Sequence, residues 1–436
     1  MAGKQFHMGW FMNFTTNEWN TPFGNDGMPW NGKFYIEMAQ AMERACFDYI
    51  MIEDTLMVSE AYGGTSEAYL KYASMAPKGD PAPLAAIMSA ATSRMGVVAT
   101  MSTTFYPPFM LARLCSTLDS IAEGRFGWNI VTSGEDGSAQ NFGMDKLTEH
   151  DLRYDKADEY VDLVCKLWDS WEPDAVVRDR ETNTYADFKK VRPINFSGKY
   201  YKSRGPLNTV RSPQGRPVFV QAGGSPRGRQ FAAKSADSII AVANGVEGMK
   251  AYRDDVRARA AAQGRNPDDI KVLFVIGPVL GETEEEARAK KQRMDSDPDA
   301  IMQSLAGLSS VTDIDFSQFD LDKPLPRLET NGERGSLDKF AQWGSNKTLR
   351  QLVMDNGGTS DSIELVGTPD QVAEQMGEAN EAMGGGDGFL ISAPYMRVSK
   401  QYITEICEGL IPALQRRGLT RTQYTTSHLR DTLREF

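Results

Sequence analysis

Short apolar runs alternate along this chain with longer stretches in which apolar residues recur every three or four positions. The short runs lie at 6–12, 49–53, 96–101, 126–131, 217–221, 238–242, 272–276 and 388–391. A brief, nearly unbroken apolar run between polar or Gly residues reads as a strand covered on both faces. The longer stretches lie at 32–46, 81–93, 108–121, 152–168, 227–235, 248–263, 283–294, 369–383 and 399–417, and carry helical periodicity. Strand and helix in alternation predict an α/β fold, a parallel sheet wrapped by helices. Eight strand candidates suit a (β/α)8 TIM barrel better than an open doubly wound sheet, although periodicity alone leaves the count open. One domain over 1–436 is expected, because barrels of this length carry insertions.

Two segments break the alternation. Residues 172–215 precede the fifth strand candidate, and residues 295–362 separate the seventh from the eighth. Loops this long in a compact domain are usually functional or disordered. The second follows the C-terminal end of a barrel strand, where barrels keep their active sites, so it is expected to form a lid. The tail, 424–436, is expected to dock on a neighbouring element or a partner subunit.

Charge and composition narrow the function. A formal net charge of −11 argues against nucleic acid, which requires a cationic surface. No run approaches the roughly 18 apolar residues of a membrane span. The N-terminus lacks a signal-peptide core, so the cytoplasm is the expected location. Four scattered cysteines (Cys46, Cys115, Cys165, Cys407) read as reduced thiols. Only three histidines occur (His7, His150, His428), none at ligand spacing, and no protein-bound metal is expected.

The chemistry concentrates in the loop after the fourth strand. From Asn129 through Thr132, Ser133, His150 and Tyr154 it offers many donors and one imidazole, but no nucleophile–base pair. That set suits holding a polar cofactor rather than attacking a substrate. His150 and Tyr154, four residues apart at a helix entry, share one side. Asn129 interrupts an apolar strand, and a buried amide must be hydrogen-bonded. Asp54 ends the second strand, where it either caps a turn or faces a ligand. Thr100 and Ser102 end the third. After the fifth strand, Gly223-Gly224-Ser225-Pro226-Arg227-Gly228 opens a helix, with Ser225 as N-cap. Glycines there admit close backbone approach and helix N–H groups favour phosphate, to which Arg227 or Arg229 would add charge. Trp10, Phe11, Phe14, Trp19, Trp30, Tyr62, Phe105 and Tyr106 cluster after the first three strands, which points to a flat, planar heteroaromatic substrate or to core packing.

Longer motifs identify a family. Trp128-Asn129-Ile130-Val131-Thr132-Ser133, Asn141-Phe142-Gly143, Glu149-His150-Asp151, Arg153-Tyr154-Asp155 and Lys166-Leu167-Trp168 occur in order. They are followed by GPLNTVRSPQG at 205–215, Gln221-Ala222-Gly223 and Ser225-Pro226-Arg227-Gly228. The chain resembles the bacterial-luciferase-like flavin monooxygenases, in the branch containing dibenzothiophene-sulfone, nitrilotriacetate and dimethyl-sulfide monooxygenases. The resemblance runs from about residue 34 to about 432 and implies the TIM barrel.

It also implies a two-component enzyme that takes reduced FMN from a separate flavin reductase and uses dioxygen to oxygenate or cleave a small organic molecule. The absence of a G-x-G-x-x-G after any strand agrees with an external reductase. By resemblance, His150 and Tyr154 contact the flavin phosphate, with Gly224 and Ser225 beside them. Asp54, Thr100, Ser102 and Asn129 line the flavin ring. Relatives often show Asp-Gly-Leu where this chain has Asp54-Thr55-Leu56. The family forms dimers or tetramers, so a homo-oligomer is expected. Three other readings suit a barrel: a deazaflavin-dependent dehydrogenase, a non-catalytic flavin-binding protein, and, ranked last because Asp54 is the only convincing acid at a strand end, a glycosidase with paired carboxylates. No residue is singled out as catalytic.

Overall fold

The computed structural model describes residues 4–13, 15, 19, 32–342, 347–355, 361–394 and 398–436. Phe14 and Trp30 lie outside them. Eight strands close into a barrel: β1 (His7–Met12), β2 (Tyr49–Ile52), β3 (Gly96–Ser102), β4 (Phe126–Val131), β5 (Val218–Gln221), β6 (Ser238–Ala241), β7 (Lys271–Ile276) and β8 (Gly388–Ile391). Each pairs in parallel with its neighbours in sequence, and β8 closes on β1 through His7↔Gly388 to Trp10↔Ile391. Helices surround this sheet, as in a TIM barrel.

Alternation along the strands sorts two cores. Tyr49, Met51, Val98, Val218, Val220, Leu273, Val275 and Leu390 fill the barrel. The opposite parity, including Ile50, Val97, Trp128, Phe219 and Phe389, packs against the helices. A side chain at Gly9 would meet Leu390 Cδ1 at 2.5 Å, so anything larger than glycine requires that inner layer to shift. Continuing the inward parity toward the strand ends places Thr100 opposite Asn129 in register.

The N-terminal end of the barrel is closed by a repeated device. Asp48, Asp237 and Asp387 each stand one residue before a strand, and each carboxylate accepts a neighbouring strand's N–H: Met8 at 2.7 Å, Phe219 at 2.8 Å and Val272 at 2.8 Å. Each then pairs with arginine, respectively Arg421, Arg216, and Arg253 with Arg257. Leu429 and Leu433 from the tail join the interior cluster, so the tail plugs its own barrel. Gly96 makes room, since a Cβ there would lie 2.5 Å from Leu429.

Both insertions have structure of their own. Residues 172–215 form two antiparallel hairpins, Val176–Asp179 with Thr184–Ala186 and Phe196–Ser197 with Lys202–Ser203. The second is helical, with Pro298–Thr312, Arg334–Gln342 and Leu349–Asp355 around Leu305, Phe316, Leu337, Phe340 and Leu352. Among the described residues, no helix is long and apolar enough to cross a membrane. The four cysteines are free thiols, and burial pushes Cys165 up to about 11 and Cys407 up to about 12, which suits inert packing groups.

Candidate functional site

A cavity of about 390 Å³ opens at the C-terminal end of the barrel. That volume is ample for a cofactor-sized ligand. Its floor comes from strand ends, including Phe11, Met51, Thr100, Asn129, Val131, Gln221, Ile240 and Val275. Gln303, Ser304, Gly307, Leu308, Val311, Glu333, Arg334, Gly335 and Ser336 of the second insertion form the opposite wall. Asp54, Thr100, Asn129, His150, Tyr154, Gly224 and Ser225 all line this one space. Ser102 does not: its Oγ accepts from Ser133 Oγ at 2.8 Å and from Thr104 N at 3.1 Å, so it holds Ser133, which does line the cavity.

In the floor, Asn129 Nδ2 donates to Thr100 Oγ1 at 2.9 Å, and the Thr100 hydroxyl reaches Met51 Sδ at 3.5 Å. Asn129 Oδ1 is buried with no protein partner. An unpaired buried acceptor is costly unless a ligand donor meets it. An N–H on the polar edge of a flavin ring is such a donor.

The anion end is built by the helix Pro226–Ser235. Ser225 caps it, its Oγ accepting Gly228 N at 3.0 Å. Pro226 at the first helical position costs no hydrogen bond, because that N–H has no intrahelical partner anyway. His150, itself at the start of the helix His150–Trp168, turns Nε2 toward Ser225 Oγ at 3.4 Å. Its Nδ1 meets the Asp151 carboxylate at 2.7 Å, and a phosphate beside Ser225 would draw a second proton onto Nε2, making that nitrogen a donor to the anion. Burial lowers the imidazole below its ordinary range, with the Asp151 bond acting against that shift. Tyr154 packs between His150 and Phe231, with ring centroids 5.1 and 5.6 Å away. A phosphate monoester fits here: a capped helix N-terminus, a hydroxyl, an imidazole and a glycine loop converge. Arg227 is instead paired with Asp155 at 3.0 Å and Asp158 at 2.6 Å. Arg229 bonds Gly224 O at 3.0 Å and Asp255 at 3.2 Å. Neither lines the cavity. Among the described residues the lining arginine is Arg334, from the insertion.

Carboxylates give the cavity its electrostatic character. Burial drives Asp54 up to about 7, with nearby Lys78 acting against it. Burial likewise raises Glu135 to about 7, aided by repulsion from Glu333, while Gly134 N and Ser138 Oγ bond its Oε2 at 3.3 and 3.2 Å. Glu333 lines the cavity while keeping accessible surface, and desolvation raises its carboxyl as well. Of these three, only Asp54 was legible from sequence. A folded-state value above the unfolded one makes the folded protein the better proton binder. Stability from such a group is full below the unfolded value of 3.8 and is lost as pH rises toward about 7. Asp54→Asn is therefore expected to flatten the decline of stability across that interval, read from denaturant midpoints at successive pH. An unchanged slope would return Asp54 to an ordinary exposed carboxylate.

The aromatic cluster does not assemble here. Among its described members only Phe11 lines the cavity. Trp10 is fully buried against Phe47 and Tyr402, Trp19 is exposed, and Phe105 stacks on Phe142. Tyr62 packs under the insertion, and Tyr106 against the helical core. Among the described residues, no group of three or more His, Cys, Asp or Glu is placed to hold a metal.

Comparison with known proteins matches residues 9–385 to the model of the luciferase-like monooxygenase family. Dibenzothiophene-sulfone monooxygenase of Rhodococcus erythropolis is 37% identical over 424 residues, covering 95% of this chain and 92% of that protein. Nitrilotriacetate monooxygenase component A of Aminobacter aminovorans is 36% identical over 449 residues, covering 99% and 97%. A crystal structure of riboflavin lyase with modified FMN and riboflavin superposes with a TM-score of 0.90 at 32% identity, over 99% of this chain and 96% of that one.

Proposed function

Given that this chain belongs to the luciferase-like monooxygenase family, we propose that it oxygenates or cleaves a small organosulfur, amine or heteroaromatic compound in a catabolic pathway, using dioxygen and reduced FMN from a separate reductase. The observation that carries this reading is the meeting, in one cavity, of the Thr100–Asn129 floor with the Gly224–Ser225–His150 anion site. Bound there, reduced FMN would supply the two electrons with which one oxygen atom of dioxygen enters the substrate and the other leaves as water.

The protein's own groups bind and orient. Ser225, the N–H groups behind it and His150 would hold the phosphate, and Asn129 Oδ1 would accept from the ring's polar edge. Asp54 and Glu135, raised by burial, would be carboxyl groups able to hold a proton within the cavity. The insertion would act as a lid, excluding water over the floor. The word component in the name of the nitrilotriacetate relative supports a partner reductase.

Anaerobic titration with reduced FMN, followed by oxygen and a panel of sulfones, sulfides and tertiary amines, tests the proposal. Binding of reduced FMN with substrate-dependent incorporation of labelled dioxygen is expected. Absence of binding sinks it. His150→Ala should weaken reduced-FMN binding by about tenfold, the worth of one hydrogen bond to a charged group; an unchanged affinity removes His150 from the site.

A further inference from the structure

Arg334 has no part in the chemistry so far, yet it stands at the anion end. It begins the helix Arg334–Gln342 in the second insertion. Its Nη1 lies 3.7 Å from Asp151 Oδ1, the oxygen that also meets His150 Nδ1 at 2.7 Å. Across the imidazole, Nε2 faces Ser225. Arg334 and Ser225 thus both border His150 and line the same cavity.

The backbone around Arg334 is fastened to the anion site at three points. A Cβ on Gly335 would fall 2.7 Å from Gly224 Cα and 3.2 Å from Ser225 N, so the two segments touch main chain to main chain. Asn331 Oδ1 accepts the His150 N–H at 2.9 Å. The Asn331 carbonyl accepts from Arg153 Nη2 at 3.0 Å. Three segments remote in sequence therefore converge where a phosphate would sit.

Charge decides what Arg334 does there. Glu53, Asp54, Glu135, Glu333 and Arg334 line the cavity, and Arg334 carries the one fixed positive charge among the described lining residues. The serine hydroxyl and the helix N–H groups are neutral donors, while Arg227 and Arg229 are bound to aspartates outside the cavity. A phosphate dianion placed among carboxylates requires a cation, and arginine is the side chain suited to its geometry.

Resting on the FMN reading above, we propose that Arg334 is the cationic ligand of the cofactor phosphate, so that the insertion makes the site select FMN over unphosphorylated riboflavin. Wild type, Arg334→Ala and Arg334→Lys would each be titrated anaerobically with reduced FMN and with reduced riboflavin, after thermal melts confirm folding. Arg334→Ala should lose roughly 10- to 100-fold in FMN affinity, the range of one charge-assisted contact, and nothing toward riboflavin. Arg334→Lys should recover part of the FMN loss. Inorganic phosphate should compete with FMN less well in Arg334→Ala than in wild type. An equal loss for both flavins, or none for FMN, overturns the assignment while leaving the FMN reading intact. Failure of the wild type to bind either flavin overturns the FMN reading itself.

Discussion

Arg421→Ala is expected to cost about 3 to 5 kcal/mol of stability, the range for stripping the partner from a buried charge. Asp48 and Arg421 are 1% and 5% exposed, so water cannot replace the lost contact. The Asp48 carboxylate takes Met8 N at 2.7 Å, His7 Nδ1 at 2.9 Å and Arg421 Nη2 at 2.6 Å. Arg421 also pairs with Glu435 and lies 4.9 Å from the Phe436 ring centroid, which ties the tail to the first two strands. Its loss strands a carboxylate and loosens the plug together. Against a typical net stability of about 5 to 15 kcal/mol, the variant would sit near unfolding at moderate temperature.

The same group sets an acid limit. Burial alone drives the Asp48 carboxyl upward, but Arg421 and then His7 outweigh it and hold it below its ordinary range. A depressed folded-state value contributes stability that is present above the unfolded value of 3.8 and lost as pH falls through the lower folded one. Without Arg421 only His7 and the Met8 N–H oppose the desolvation, so acid unfolding should begin at a higher pH than in wild type. Denaturant midpoints at neutral pH and near pH 4 measure both effects. A neutral-pH change under about 1 kcal/mol would mean that the pair is no stronger than a surface ion pair.

What could be read from sequence divides along the same physical lines. All eight strands were legible because a buried parallel strand must be apolar on both faces. The runs at 126–131 and 388–391 match β4 and β8 to the residue, while β3 extends to Ser102 because cross-strand pairing with Val131 sets its end. Asn129 betrayed itself as an amide within an apolar run. Ser102 has the same parity as Thr100, yet its hydroxyl is taken up by Ser133 and Thr104 N, a local bond that spacing does not reveal. The helix Pro298–Thr312 carries a start signal in plain view, Asp297 capping Asp299 N with proline next, but the charged residues around it read as loop. Asp48, Asp237 and Asp387, each directly before a strand, are a repeated signal that pattern reading passed over. Glu135, Glu333 and Arg334 were not legible, because their place depends on an insertion folding back across the barrel. Arginines 227 and 229 looked right by proximity, but nearby aspartates claim them.

Gly335→Val should then be the most damaging single change at the site. Gly224 and Gly335 approach so closely that a Cβ on either meets the other's Cα, at 2.8 and 2.7 Å, and neither neighbour is a side chain that can swing aside. Valine must push the insertion away from the anion loop. The displacement carries Arg334 from its place beside Asp151 and pulls on the Asn331 bond that holds the His150 N–H. Overpacking of this kind costs about 3 kcal/mol, roughly 150-fold in the dissociation constant for reduced FMN if all of it falls on the bound state. The barrel core is untouched, so the thermal transition should move little. That separates the two roles the insertion can have: as a lid completing the site, it loses FMN affinity with the fold intact. As passive decoration, it would tolerate valine with reduced-FMN affinity unchanged, and anaerobic titration beside a melting curve decides between them.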